Sequence, residues 1–143
     1  MEKGEINFFS ENDFVLNNEE RYKDWIESII ETENKYFGDI NFIFCDDEYL
    51  HEINLKYLSH DTYTDIISFD STIGNTLQGD IFISTQRVAE NSGNFNVEFT
   101  EELKRVLAHG ILHFCGFKDK TERDQEVMRR KEEEKILLFH VEQ

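Results

Sequence analysis

The stretch that most constrains this chain is the run from His109 to Asp119, HGILHFCGFKD, together with the apolar segment leading into it. His109 and His113 are four apart, so on a helix both imidazoles leave one face and can reach a single metal ion. Gly116 follows, free to take positive φ and end the helix, and Asp119 then offers a carboxylate on the returning chain. Two imidazoles and one carboxylate leave the fourth position of a tetrahedral zinc open to water, the arrangement of a catalytic rather than a structural site. The competing reading makes the histidines partly buried helix residues and Asp119 a surface cap.

The helix carrying the pair must be heavily buried. Thr100 is its expected N-cap, with Glu101 and Glu102 at the positive end of the helix dipole. Leu103, Val106, Leu107, Gly110, Ile111 and Phe114 then recur at helical spacing. Glycine inside a helix costs about 1 kcal/mol relative to alanine, so close packing or access beside His109 must offset Gly110.

The remaining pattern alternates between the two periods. Ile6 to Ser10 reads as a strand, the segment from about Asn18 (NEERYKDWIESIIETENKYF) as an amphipathic helix, and Asp39 to Cys45 as a strand apolar on both faces. Asp46 and Asp47 cap a short helix over Glu48 to Tyr57, and Ser59 to Thr64 is a polar loop. Asp65 to Phe69 and Asp80 to Ser84 are strands joined through Gly74 to Gly79, close enough for an antiparallel pair. A helix from Thr85 ends near Gly93. Thr121 with Asp124 resembles a capping box opening a final helix, TERDQEVMRRKEEEKILLF, with a frayed tail from His140. The fold class is α+β: a mixed sheet of about four strands packed with about five helices, with the metal site on a central helix and the turn after it.

At 143 residues the chain is expected to form a single domain over 1–143. Its 31 acidic against 15 basic residues give a formal charge of −16, which argues against a general nucleic-acid binder unless a cleft is locally basic. Cys45 and Cys115 sit in apolar runs and read as buried thiols, and Cys115 as core rather than ligand. No signal peptide or membrane-spanning run is visible, so a cytoplasmic protein without membrane attachment is expected. His51 and His140 lie outside the motif and read as ordinary surface histidines.

What the motif lacks is informative. In H-E-x-x-H metalloproteases the glutamate after the first histidine is the general base, and here that position is Gly110. A metal that acidifies water or polarises a phosphoryl oxygen suits phosphodiester cleavage instead.

HGILHFCGFKD, with TDIISF (Thr64 to Phe69) and GDIFIS (Gly79 to Ser84), resembles the YbeY family of bacterial endoribonucleases and rRNA maturation factors, from about Asn54 to Met128. The family's H-G-x-L-H-x-x-G-Y-D-H pattern implies zinc held by three histidines. His109 and His113 match the first two, while the third falls on Asp119 with Lys118 in place of the family's aspartate. The family's usual arginine falls on Leu58. Lys56, His60, Lys118 and Lys120 are the nearest substitutes in sequence for a phosphate contact, or else solvated surface groups. Thr64, Asp65 and Ser68 belong to the family-like strand block, where Asp65 either orients a ligand histidine or caps the strand.

The resemblance implies an endoribonuclease using one Zn2+ ion on His109, His113 and Asp119. Its expected substrate is single-stranded RNA, in 3′-end maturation of small-subunit (16S) rRNA and in ribosome quality control, so the small ribosomal subunit is an expected partner. The alternatives are a metzincin-like metallohydrolase acting on another substrate and a non-catalytic ribosome assembly factor with a structural metal.

Overall fold

The computed structural model describes residues 4–141, with residues 140 and 141 described by backbone only. The surface reading of His140 therefore lies outside the described side chains. The element order is β1 (Ile6–Ser10), α1 (Glu19–Thr32), β2 (Tyr36–Cys45), α2 (Asp47–Leu58), β3 (Ile66–Asp70), β4 (Thr76–Ser84), α3 (Thr85–Phe95), α4 (Phe99–Phe114) and α5 (Glu122–Val141). This is the expected order and the expected α+β class.

The four strands form one mixed sheet in the order β1-β2-β4-β3. β1, β2 and β4 run parallel, and β3 pairs antiparallel with β4, with Ser68 opposite Ile81. β2 lies inside the sheet, as its apolar alternation requires: Ile40, Phe42 and Phe44 point into the main core, while Cys45 packs with Leu50 and Ile67 on the other side. α1, α4 and α5 supply the main core, where Trp25, Ile26, Leu107, Ile111 and Phe139 meet the sheet. α2 covers part of the second face through Leu50 and Ile53.

Several boundaries differ from expectation. β2 begins at Tyr36 and β4 at Thr76, because the two strands pair with each other, Tyr36 opposite Thr76, well before their apolar runs start. α3 continues through Gly93 to Phe95 and stops at Asn96, which takes a left-handed conformation. The N-cap of α4 is Glu98 rather than Thr100, since Phe99 packs against the main core and draws the first turn two residues back. Asp46 is the N-cap of α2, without a side-chain capping bond to its own helix. Thr121 does cap α5, its Oγ1 accepting from the Asp124 amide at 3.0 Å. The backbone of α5 runs on through residues 140 and 141, and the rest of the tail expected to fray lies outside the described residues.

Gly110 packs directly on the sheet. A Cβ at that position would lie 3.1 Å from Cδ1 of both Ile66 and Ile81. Close approach, rather than access beside His109, offsets its poor helix propensity.

Candidate metal centre

α4 is buried on most of its circumference, and Glu102, Arg105, His109 and His113 form a stripe of polar side chains at three- and four-residue spacing. The helix ends in a Schellman motif: the Gly116 amide donates to the His113 carbonyl and the Phe117 amide to the Leu112 carbonyl, both at 3.0 Å. Gly116 has φ of 106°, a conformation that favours glycine. The reversal brings the chain back over the helix face. Asp119 then meets both imidazoles, its Oδ2 lying 3.4 Å from Nε2 of His109 and 3.4 Å from Nε2 of His113. α5 holds this returning segment, because Gln125 Nε2 donates to the Asp119 carbonyl at 3.1 Å.

The outward nitrogens of the two rings are both occupied. Nδ1 of His109 lies 2.6 Å from Oε2 of Glu132, and Nδ1 of His113 lies 3.0 Å from the Phe117 carbonyl oxygen. A carboxylate and a carbonyl can only accept, so each Nδ1 carries the hydrogen in the neutral ring and each Nε2 presents a lone pair. Those two Nε2 atoms are 2.9 Å apart and share Asp119 as neighbour. Three electron-pair donors directed at one point repel one another unless a cation lies between them. Ligands of a tetrahedral zinc are about 3.3 Å apart for bonds of about 2.0–2.1 Å, close to the separations here. His109, His113 and Asp119 thus form a group able to hold a metal ion, the only such His, Cys and carboxylate group among the described residues.

The surroundings favour positive charge. Burial alone would lower the pKa of His109, but Glu132, Asp119 and Asp65 outweigh it and raise it above the usual imidazole value. Burial raises Asp65 and Glu102 above the ordinary carboxylate range, opposed by His109 for Asp65 and by Arg105 for Glu102.

Two clefts meet at the triad. One, of ≈ 430 Å³, includes Asp65, Ser68, Asn91, Phe95, Arg105 and Arg129 in its walls beside both histidines. The other, of ≈ 530 Å³, runs along α5 past Glu122, Gln125 and Arg129. Asp65 and Ser68 are therefore at the site, though Asp65 makes no hydrogen bond to either imidazole among the described residues. The residue that orients His109 is Glu132, which the sequence reading did not single out.

Of the cations proposed as substitutes for the family arginine, none lines either cleft. Lys56 lies over the Tyr57 ring on α2, 5.4 Å from its centroid, and His60 is exposed in the loop beyond that helix. Lys118 and Lys120 flank Asp119 in sequence but are exposed. Leu58, at the end of α2, is 42% exposed. The arginines in the clefts are Arg105 and Arg129. Arg105 was legible in principle, being one helical turn before His109; Arg129 and Glu132 sit in the charged run RRKEEEK, where nothing local marks an inward face.

His51 is more than a solvated surface group, with Nε2 2.8 Å from Asp61 and its ring stacked on Tyr63. Cys115 lies outside the triad, and burial pushes its thiol up to about 11.

Known proteins resemble the chain over nearly its whole length. The family described as Endoribonuclease YbeY matches residues 6–139. The chain is 81% identical over its whole length, and the whole of the relative's, to the Endoribonuclease YbeY of Christiangramia forsetii. It is 62% identical to that of Flavobacterium johnsoniae over 96% of this chain and 99% of the relative. The solution structure of TM1509 from Thermotoga maritima superposes with a TM-score of 0.67 at 25% identity, covering 94% of this chain and 89% of that one. A metal-capable His-His-Asp triad on this fold, and matches that span nearly the whole chain, lead to one conclusion: the chain belongs to the YbeY endoribonuclease family.

Proposed function

We propose that the chain is a zinc-dependent endoribonuclease, one catalytic domain over 1–143, that cleaves single-stranded RNA. Its relatives carry the name Endoribonuclease, and the expected task is 3′-end maturation of small-subunit (16S) rRNA and ribosome quality control in the cytoplasm. No helix among the described residues is long and apolar enough to cross a membrane.

One observation carries the reading: Nε2 of His109, Nε2 of His113 and Oδ2 of Asp119 converge, with both imidazole tautomers held by acceptors behind them. His109, His113 and Asp119 would hold the ion, and nitrogen with carboxylate oxygen suits zinc. When bound there, zinc supplies Lewis-acid stabilisation of charge on a phosphoryl oxygen and a more acidic water. Glu132 keeps His109 in the tautomer that presents Nε2, and the Phe117 carbonyl does the same for His113. Gly110 brings no carboxylate to the face beside His109, which separates the site from H-E-x-x-H peptidases.

The test is cleavage of a labelled single-stranded RNA by purified, zinc-loaded protein, alongside its metal content. Cleavage is expected to vanish with chelator and with His113→Ala, and to leave a folded peptide-cleavage control negative. Cleavage that survives His113→Ala unchanged, or peptide hydrolysis that tracks zinc content, would overturn the reading.

A further inference from the structure

We propose that Phe95 and Arg129 form a nucleotide subsite beside the metal triad, Phe95 stacking a base of single-stranded RNA and Arg129 holding its phosphate. The inference rests on the endoribonuclease reading and says what in the substrate the site grips.

Phe95 is the last residue of α3, 59% exposed, in the wall of the cleft that also contains His109, His113 and Asp119. A single exposed phenylalanine needs no explanation; one in the same cleft as converging metal-capable groups is an aromatic face offered to whatever enters. Asn91 lies four residues earlier on the same helix face and lines the same cleft. It is half-buried, and its side-chain amide makes no hydrogen bond among the described residues, leaving both donor and acceptor free for a base edge. Ser68, on the edge strand β3, adds a hydroxyl to the wall.

Arg129 lines both clefts and so marks where they join, with His109, Asp119 and Glu132 as the other shared residues. Its guanidinium makes no ion pair among the described residues. Arg105, the other arginine in the walls, is held by Glu132 at 3.2 Å and Glu133 at 3.9 Å. A planar, unpaired guanidinium beside the triad is suited to a phosphate.

The charge of the molecule makes stacking necessary. At −16 overall, and with Asp65, Glu102 and Glu132 around the triad, the surface does not draw polyanions by its general field. Base stacking is indifferent to that charge, and only an unpaired strand exposes base faces to it. The subsite therefore selects single strands.

The test uses zinc-loaded protein and a 2′-O-methylated single-stranded oligonucleotide carrying 2-aminopurine, whose methylation blocks attack by its own 2′-hydroxyls and whose integrity through the titration is checked on a denaturing gel. Binding should quench the fluorophore. Phe95→Ala should lose about tenfold in affinity together with the quench, and Phe95→Tyr should restore both. Arg129→Gln should weaken binding and flatten the dependence of log K on log salt by about 0.7, one phosphate on a single strand. Full affinity and quench in Phe95→Ala, failure of Phe95→Tyr to rescue, or an unchanged salt slope in Arg129→Gln would each overturn the subsite. Because Phe95 is exposed, thermal unfolding of its variants should match the parent, separating lost contact from lost fold. If the parent neither binds the probe nor cleaves the matching RNA, the endoribonuclease reading itself fails; if it does both and Phe95→Ala binds equally well, only the subsite does.

Discussion

Nδ1 of His109 and Oε2 of Glu132 face each other at 2.6 Å across the α4–α5 contact. The same helix α5 holds the Asp119 carbonyl through Gln125. Both sides of the triad thus depend on how α5 docks, and α5 is anchored within one turn of Glu132: Trp25 of α1 donates to the Lys135 carbonyl at 2.7 Å.

Replacing Glu132 should therefore damage the metal centre without touching a ligand. Glu132→Gln can no longer offer a carboxylate to Nδ1, and loss of such a partner lowers metal affinity by about 10–100-fold. Chelator competition against the parent checks this. Unchanged zinc affinity would mean that His109 is held in place by α4 alone.

Asp119→Ala removes the only oxygen of the triad and should weaken zinc binding by more than Glu132→Gln does, while Asp119→His, an imidazole on the same turn, should recover part of it. Metal content after gel filtration, with titrations on both variants, reads this out. Equal stoichiometry and affinity in Asp119→Ala would require another third ligand.

Gly110→Ala sets a helix-propensity gain of about 1 kcal/mol against crowding of Ile66 and Ile81, whose methyls would stand 3.1 Å from the new Cβ. Ile81 is fully buried in the main core and overpacking costs about 1–3 kcal/mol, so a net loss of about 1 kcal/mol is expected. Gly110→Val should lose more. Chemical denaturation of both variants decides whether the crowding wins.

Lys135 is buried, and its Nζ contacts Glu33 Oε2 at 2.7 Å, Thr32 Oγ1 at 2.9 Å and Glu134 Oε2 at 3.2 Å. Glu33→Gln strands much of that charge and should cost about 3 kcal/mol, with Glu33→Gln/Lys135→Met recovering a part. Burial alone would raise the Glu33 carboxyl, but Lys131 and Lys135 outweigh it and hold it below its ordinary value. A carboxyl lowered in the folded state contributes stability above its unfolded pKa of about 4.3, and that contribution is lost as pH falls through the lower folded value. Urea melts at neutral and acid pH should show a steeper acid loss for the parent than for Glu33→Gln.

Much of the architecture was legible because the two periodicities are clean. Ile40, Phe42 and Phe44 against Asn41, Ile43 and Cys45 placed β2 inside a sheet, and the short β3–β4 connection was compatible with the antiparallel pairing found. Element ends were less legible: Phe99 rather than Thr100 decides where α4 starts, since a packed aromatic outweighs a good capping hydroxyl. Proximity in sequence also misled. Lys56 and His60 follow the family-like Asn54 closely, yet α2 and the loop after it carry them away from the clefts, while Arg129, on another helix, is in both.

Helical spacing and a glycine able to turn the chain determined the His109, His113 and Asp119 arrangement, because every part of it lies within eleven residues of one local geometry. The tautomer of His109, the cation that faces the triad and the aromatic ring in its cleft were decided only by tertiary structure. Each depends on a side chain from α3 or α5, placed by core packing that no local spacing encodes.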